Sequence, residues 1–263
     1  MLLTIDVGNT NITMGIFKED ELLGTFRLMT KTQRTSDEFG IYMKAFLDRY
    51  QIATQQINDV IVSSVVPKIM YSLNSAIIKT LRIEPTMIGP GIKTGIRVNT
   101  DNPKEVGADR IVNVAYAYHT YKKPCIVIDF GTATTFDFVN EEGVFEYTVI
   151  SPGLEISAQA LYLQTAKLPE IEIAKPKSIL ASNTICGMQA GVVYGYIGHV
   201  EYIIKKMLEE LKVKDVKVIA TGGLGKVIVP ETSYIHEYDP DIAFKGMKII
   251  YDRTKRLTNK GDM

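Results

Sequence analysis

A phrase that occurs twice, once in each half of the chain, indicates the fold. The first copy reads Leu2-Leu3-Thr4-Ile5-Asp6-Val7-Gly8-Asn9-Thr10, and the second reads Ile126-Val127-Ile128-Asp129-Phe130-Gly131-Thr132-Ala133-Thr134. Each is an apolar run that ends in Asp-x-Gly and continues into small hydroxyl or amide residues. Because the copies lie nearly half a chain apart, the sequence predicts two similar domains whose polar turns face each other across a nucleotide cleft.

Strand and helix patterns follow each copy in a similar order. Residues 11–17 and 22–28 continue the first copy as strands, and residues 135–139 and 143–150 do so after the second. Further strands are predicted at 59–67, 86–90 and 216–221, and helices at 36–50, 71–81, 104–121, 155–168 and 184–211. The fold class is therefore α/β.

The Lys122-Lys123-Pro124 segment, directly before the second copy, is the best boundary between domains. It divides the chain into domains 1–121 and 122–263. At 263 residues, the chain is long enough for two cores of ordinary size.

Composition excludes several classes of partner. Lysine plus arginine and aspartate plus glutamate are balanced at 30 each, so no net charge attracts nucleic acid or an anionic membrane. No stretch is apolar enough to cross a bilayer. Two cysteines, Cys125 and Cys186, do not form a disulfide framework. We therefore expect a cytoplasmic protein that binds neither nucleic acid nor membrane.

The two polar turns have the chemistry of a phosphate site. Glycine lets a ligand approach the backbone closely, and successive N–H groups can point at phosphate oxygens. An aspartate repels phosphate, so its role would be to hold a cation, which for magnesium is usually bound through water. A further glycine-rich turn, Thr221-Gly222-Gly223-Leu224-Gly225, follows a late strand. Ordinary turns remain the alternative, because Asp-x-Gly is also a common turn sequence.

Competing signatures are absent from the sequence. It has neither the Gly-x-x-x-x-Gly-Lys-Ser/Thr loop nor a strand followed by Gly-x-Gly-x-x-Gly, which argues against NAD. The histidines at 119, 199 and 236 are scattered and lack zinc spacing.

Motifs in the right order and spacing resemble one known family. They are Asp6-Val7-Gly8-Asn9-Thr10, Val106-Gly107-Ala108-Asp109-Arg110, Ile128-Asp129-Phe130-Gly131-Thr132-Ala133-Thr134 and Ser151-Pro152-Gly153-Leu154. From Met1 to about Tyr251 the chain closely resembles type III pantothenate kinases, of the acetate kinase, sugar kinase, Hsp70 and actin superfamily. The Gly-Ala-Asp-Arg element is the most specific of these motifs. The resemblance implies duplicated ribonuclease H-like (actin-like ATPase) domains with a nucleotide cleft between them.

The resemblance also implies an activity and its partners. The reaction would be the ATP-dependent phosphorylation of pantothenate to 4'-phosphopantothenate, the first step of coenzyme A biosynthesis. It would require Mg²⁺ and a monovalent cation, K⁺ or NH₄⁺, and the protein would be a homodimer.

Carried over residue by residue, the resemblance assigns a role to each motif. The ATP-binding residues would be Asp6, Val7, Gly8, Asn9, Thr10, Asn11, Ile12, Thr13 and Thr132. The pantothenate-binding residues would be Gly107, Ala108, Asp109, Arg110 and Thr184, the last reaching across the dimer interface. Asp6 would orient hydrated magnesium, Asp109 would be the base that accepts the substrate's hydroxyl proton, and Asp129 would bind the monovalent cation.

One position departs from the family. A tyrosine usually precedes the Asp-Asn-Pro sequence before the Gly-Ala-Asp-Arg element, whereas Thr100 precedes Asp101-Asn102-Pro103 here. That tyrosine is associated with the substrate pocket. We therefore expect weaker affinity for pantothenate at this position.

Other interpretations remain open. A non-catalytic, nucleotide-binding regulatory protein of the same fold is the alternative, but it would have no use for Asp109. An Hsp70-like ATPase would need a peptide-binding domain for which the chain has no room. Separately, Gly187, Gly191 and Gly195 repeat every four residues and share one helix face, which lets another backbone come close.

Overall fold

The structure is a computed structural model that describes residues 1–261. Within that range the chain packs as two compact units. The first comprises Met1–Arg97, Asp101–His119 and residues 242–261, and the second comprises Val98–Thr100 and Thr120–Asp241.

The strands and helices are as follows. The strands are β1 (Leu2–Val7), β2 (Asn11–Lys18), β3 (Glu21–Met29), β4 (Asp59–Ser64), β5 (Thr86–Met87), β6 (Arg97–Val98), β7 (Cys125–Phe130), β8 (Ala133–Val139), β9 (Val144–Pro152), β10 (Lys217–Thr221) and β11 (Glu237–Tyr238). The helices are α1 (Ser36–Arg49), α2 (Pro67–Leu81), α3 (Ala108–Tyr121), α4 (Leu154–Leu163), α5 (Thr184–Leu211), α6 (Gly225–Ile228) and α7 (Ile242–Gly261).

The first unit is built on a twisted sheet of order β3-β2-β1-β4-β5. β1 pairs antiparallel with β2 and parallel with β4, and β4 pairs parallel with β5. Successive strand residues face opposite sides, so one side carries Ile5 and Val62 toward α1 and α2. The other side carries Leu2 and Ile61, which pack with Val112 of α3 and with α7. Helices thus cover both faces of this sheet.

The sheet of the second unit repeats this arrangement. Its order is β11-β10-β7-β8-β9-β6. Apart from the edge strand β6, β7 corresponds to β1, β8 to β2, β9 to β3, β10 to β4 and β11 to β5. The directions match as well, since β7 pairs antiparallel with β8 and parallel with β10. The predicted α/β fold with a duplicated domain is therefore confirmed.

Local signals predicted several elements to within a residue or two. Thr35 and Glu38 form the capping box of α1, with Thr35 N–H donating to Glu38 Oε2 at 2.7 Å. The longest helix, α5, covers the predicted range. By contrast, α2 begins at Pro67 instead of residue 71, because proline lacks an N–H and fits the first helical position.

Other predicted bounds were wrong. The helix expected from Lys104 begins at Ala108, after a short 3₁₀ turn at Pro103–Glu105. The helix expected over 155–168 ends at Leu163. No strand had been predicted for β6 and no helix for α7.

The last helix is where packing and the sequence-based boundary differ. α7 follows the second unit in sequence but packs with the first, where Phe244, Met247 and Ile250 join the core formed by Leu2 and Ile61. Lys255 also pairs with Asp59, at the start of β4, at 3.1 Å. The division into 1–121 and 122–263 therefore does not match this packing over residues 242–261.

Candidate active site

One buried threonine stabilises the first Asp-x-Gly turn through hydrogen bonds on its inner side. Gly8 N–H donates to the Asn11 carbonyl at 3.0 Å, which closes the turn between β1 and β2. Thr30 Oγ1 donates to the Gly8 carbonyl at 2.7 Å, and Thr30 N–H donates to the Thr10 carbonyl at 2.9 Å. Asn9 and Thr10 are exposed. The turn is therefore fixed on its inner side and open on its outer side.

Thr30 is a site residue that the sequence did not reveal. It lies 22 residues after the turn that it supports, beyond the reach of any local pattern. Of the predicted ATP-binding residues, Val7 and Ile12 have fully buried side chains. Only their backbone groups could contact a ligand. Asp6 is half-buried near the end of β1, directly opposite Thr13 of β2.

The Gly-Ala-Asp-Arg element forms the start of α3. Asp109 Oδ1 accepts the backbone N–H of Arg110 at 2.8 Å, so the carboxylate folds back toward the residue before the helix. A Cβ at Gly107 would lie 2.4 Å from that oxygen and 3.2 Å from Val65 Cγ1. Glycine is therefore required at 107 for this orientation of Asp109. The positive end of the helix dipole favours the charged carboxylate.

Asp6 and Asp109 lie at the same edge of the first sheet. Asp6 is paired in register with Ser63 of the parallel strand β4. Two residues further on, Val65 N–H donates to the Val7 carbonyl at 3.0 Å, and its side chain reaches the position of Gly107. The end of β4 thus contacts both β1, at the first Asp-x-Gly turn, and the start of α3. Two segments that are far apart in sequence, β1 and the start of α3, therefore meet the same strand end within one unit.

The second Asp-x-Gly turn has the same position in the second unit. Asp129 is half-buried near the end of β7 and is paired in register with Thr135 and Thr221. Gly131 and Thr132 are exposed. The N-terminus of α4 packs directly on this turn, since a Cβ at Gly153 would lie 2.3 Å from the Thr132 carbonyl oxygen. Only glycine fits at that contact.

A tyrosine fixes the two segments that flank this turn. The Tyr196 hydroxyl donates to the Pro152 carbonyl at 2.8 Å and lies 2.6 Å from Thr134 Oγ1. Burial raises the pKa of Tyr196, so the hydroxyl remains protonated and able to donate.

The third glycine-rich turn lies against the same strand end. Gly222 has φ +91°, and a Cβ there would lie 2.6 Å from backbone atoms of Phe130. Its carbonyl accepts the Tyr238 hydroxyl at 2.9 Å. The structure therefore places the predicted Gly222–Gly225 turn next to the Asp129 turn within the second unit.

Thr184 does not belong to the same unit as the other predicted substrate residues. It is the exposed first residue of α5 and belongs to the second unit, whereas Gly107–Arg110 belong to the first. Asn183 caps the helix, with Oδ1 accepting the N–H of Cys186 at 2.9 Å. Along α5, a Cβ at Gly191, Gly195 or Gly198 would have no heavy atom of the described chain within 4 Å.

The first Asp-x-Gly turn fits what magnesium requires of a protein site. Among the described residues, no group of three or more His, Cys, Asp or Glu is placed to hold a metal ion. Magnesium keeps several waters and is bound through one or two carboxylates plus substrate phosphates. The single carboxylate of Asp6, beside a turn with an open backbone, fits that requirement.

Within residues 1–261, no helix is long and apolar enough to span a membrane.

The duplicated sheet with acidic turns at equivalent strand ends defines an actin-like ATPase fold, the class to which sugar kinases also belong. Two solved structures share the fold over nearly all of both chains. A Baf family protein of Campylobacter jejuni matches with TM-score 0.56 at 18% identity, covering 97% of this chain and 99% of that chain. Component A of (R)-2-hydroxyglutaryl-CoA dehydratase from Acidaminococcus fermentans matches with TM-score 0.54 at 12% identity, covering 95% and 96%.

Sequence comparison then gives the family within that class. The family model described as type III pantothenate kinase matches residues 2–206. A type III pantothenate kinase of Agathobacter rectalis is 51% identical over 256 residues, which cover 97% of this chain and 98% of the relative. The chain belongs to the type III pantothenate kinase family.

Proposed function

We propose that this protein transfers the γ-phosphoryl group of ATP to the hydroxyl of pantothenate, giving 4'-phosphopantothenate and ADP, the first step of coenzyme A biosynthesis. The observation that carries the proposal is the placement of Asp6 and Asp109 at one edge of the first sheet, joined through the end of β4. A carboxylate for the nucleotide's cation and a carboxylate for the acceptor's proton are the two acidic groups that phosphoryl transfer to an alcohol requires.

On the nucleotide side, positioning and charge neutralisation are the main tasks. The exposed turn residues Asn9 and Thr10 offer backbone N–H donors to phosphate oxygens, and Asp6 and Thr13 lie beside them. Thr132 is the proposed further contact to the nucleotide. Asp6 would hold magnesium through the water bound to it, and the cation would neutralise the phosphate charge.

On the acceptor side, Gly107–Arg110 and Thr184 bind pantothenate. Asp109 orients the substrate hydroxyl and accepts its proton as the new O–P bond forms and the bond to the leaving ADP breaks. The helix dipole keeps the carboxylate charged, which makes it a weak base that takes the proton late. Arg110 is suited to the carboxylate of pantothenate.

Asp129 is the proposed ligand of a monovalent cation, K⁺ or NH₄⁺. It is half-buried and lies beside Gly131, where a Cβ would come within 3.6 Å of its Oδ1. The lower pantothenate affinity expected from Thr100 stays a prediction, as does a cytoplasmic location. The regulatory alternative is not favoured, because the relative at 51% identity is described as a kinase.

The decisive experiment measures ADP release by the purified protein with ATP and Mg²⁺. We expect turnover with pantothenate in potassium or ammonium buffer, little turnover without pantothenate, and a lower rate when sodium replaces potassium. Mass spectrometry should find 4'-phosphopantothenate. Turnover that does not depend on pantothenate would indicate a plain ATPase, and indifference to sodium would remove the role given to Asp129.

We further propose that the protein is a homodimer that pairs through the glycine face of α5. Gly191, Gly195 and Gly198 are exposed in the single chain, and Ile185 and Tyr202 of the same helix are more than half exposed. Small residues along one face let two helix backbones approach closely. A dimer formed there would also bring Thr184, at the start of α5, next to a second chain.

Replacing Gly195 with leucine should convert the dimer to a monomer, as measured by light scattering after size exclusion. The new side chain has open space in the single chain, and a helix interior favours leucine over glycine by about 0.8–1 kcal/mol, so the fold should be retained. Lys205→Leu is the matched control, since it adds the same side chain about 15 Å further along the helix. A Gly195→Leu protein that stays dimeric would rule out this interface.

A further inference from the structure

Ser63, in β4, is a buried serine to which the activity has assigned no role. Its side chain is fully buried, and its Oγ has no hydrogen-bond partner among the described residues. Buried polar side chains are hydrogen-bonded in the large majority of cases, so an exception of this kind requires an explanation. The neighbouring Ser64 has one, because its Oγ accepts the N–H of Val66 at 3.1 Å.

The position of Ser63 suggests what its hydroxyl serves. Ser63 is the in-register neighbour of Asp6 on the parallel strand. Neighbouring strands lie about 4.8 Å apart and paired residues point to the same face, so the two side chains are adjacent. The distance between such side chains is bridged by one hydrogen bond or by one water.

The surroundings enclose that pair within the first unit. On the same face of β4, Ile61 packs with Val112 of α3, and Val65 reaches Gly107 at the start of that helix. Ser63 lies between these two contacts, under the first turns of α3. Its side chain therefore lies beside Asp6 on the side of the sheet that α3 covers, and bulk water does not reach it.

We propose that Ser63 is a positioning residue for Asp6. In the complex with MgATP its hydroxyl donates to the Asp6 carboxylate, directly or through one ordered water, and holds that carboxylate in the orientation that the hydrated magnesium needs. The inference rests on the proposed nucleotide site. A carboxylate has two oxygens, so one can face the water shell of the cation while the other accepts from Ser63. Groups that orient a metal-binding carboxylate in this way change the affinity of the site for the metal ion.

The second unit repeats the arrangement. Thr221 stands beside Asp129 in the same register in which Ser63 stands beside Asp6, and it is also buried. A hydroxyl next to the strand-end carboxylate is therefore a feature of both halves of the duplicated fold. The repeat also shows that threonine is compatible with this position in such a sheet.

The test is Ser63→Ala, with MgATP affinity measured by calorimetry in the absence of pantothenate. We expect the affinity to fall about tenfold, the effect typical of losing a group that orients a metal-binding residue. The melting temperature of the free protein should stay equal or rise, because the removed hydroxyl has no partner there. Ser64→Ala is the matched control, and it should lower the melting temperature while leaving the affinity unchanged.

Ser63→Thr should restore binding to within about twofold of the wild type, since it retains the hydroxyl. Wild-type affinity in Ser63→Ala, failure of that variant to fold, or equal loss in the threonine variant would each overturn the proposal. Calorimetry also separates this inference from the reaction. A protein that binds MgATP in a Ser63-dependent way but does not phosphorylate pantothenate would refute the proposed function alone.

Discussion

Asp109→Asn is expected to lower kcat for pantothenate phosphorylation by about 10²- to 10⁴-fold, the usual contribution of a general base. Asparagine has nearly the same shape, so it should fit the space that Gly107 leaves and should still accept the hydrogen bond from the Arg110 N–H. The substitution removes the proton acceptor and leaves the Asp6 turn untouched. MgATP affinity, measured by calorimetry, should therefore change by less than about twofold, because a substitution has little effect on a site with which it shares no contact.

The matched control for Asp109 is another aspartate in the first turn of a helix. Asp37 occupies that place in α1, is exposed, and pairs with Lys79 at 3.3 Å. Asp37→Asn removes the same charge from a helix start and should leave kcat unchanged. If the two variants showed equal turnover, Asp109 would be a helix-start aspartate with no part in the chemistry.

The parts of the fold that the sequence predicted depend on local patterns. The spacing of apolar residues predicted α1, and the Thr35/Glu38 pair predicted where that helix begins. The repeated Asp-x-Gly phrase predicted a duplicated sheet, because the same residues dictate the same strand and turn twice. Both turns then occupy equivalent strand ends.

The parts that the sequence did not predict depend on contacts between distant residues. α7 packs with the first sheet because Phe244 and Met247 meet apolar residues near the start of the chain, and no pattern within the helix specifies that partner. Thr30 and Ser63 act on turns or strands far from them in sequence. A single threonine or serine in a strand carries no signal until the register of the sheet is known.

Gly107 illustrates the boundary between the two cases. The sequence identified the Gly-Ala-Asp-Arg element through a resemblance, but it placed the start of the helix at Lys104. In the structure α3 begins at Ala108, so Gly107 is the last residue before the helix and not part of its second turn. The requirement for glycine comes from the Asp109 carboxylate above it and Val65 beside it, and these contacts exist only after β4 and α3 have packed together.

Gly222→Ala is expected to destabilise the protein by about 2–5 kcal/mol, combining the cost of a positive φ with that of overpacking. Gly222 has φ +91°, and the added carbon would lie 2.6 Å from backbone atoms of Phe130 in the central strand β7. A flexible side chain could move aside, but the backbone of a central strand cannot do so without breaking its pairing. Urea unfolding followed by circular dichroism measures the loss, because the chain contains no tryptophan to report by fluorescence.

The adjacent glycine provides the control for this prediction. A Cβ at Gly223 would have no heavy atom of the described chain within 4 Å, so Gly223→Ala should change the free energy of unfolding by no more than about 0.5 kcal/mol. The Gly222 variant should also bind MgATP more weakly, because any shift of Phe130 displaces Asp129 in the same strand and the Gly131–Thr132 turn that follows it. Equal stability of the two variants would mean that the turn yields without disturbing β7, and that Gly222 does not hold the Asp129 strand end in place.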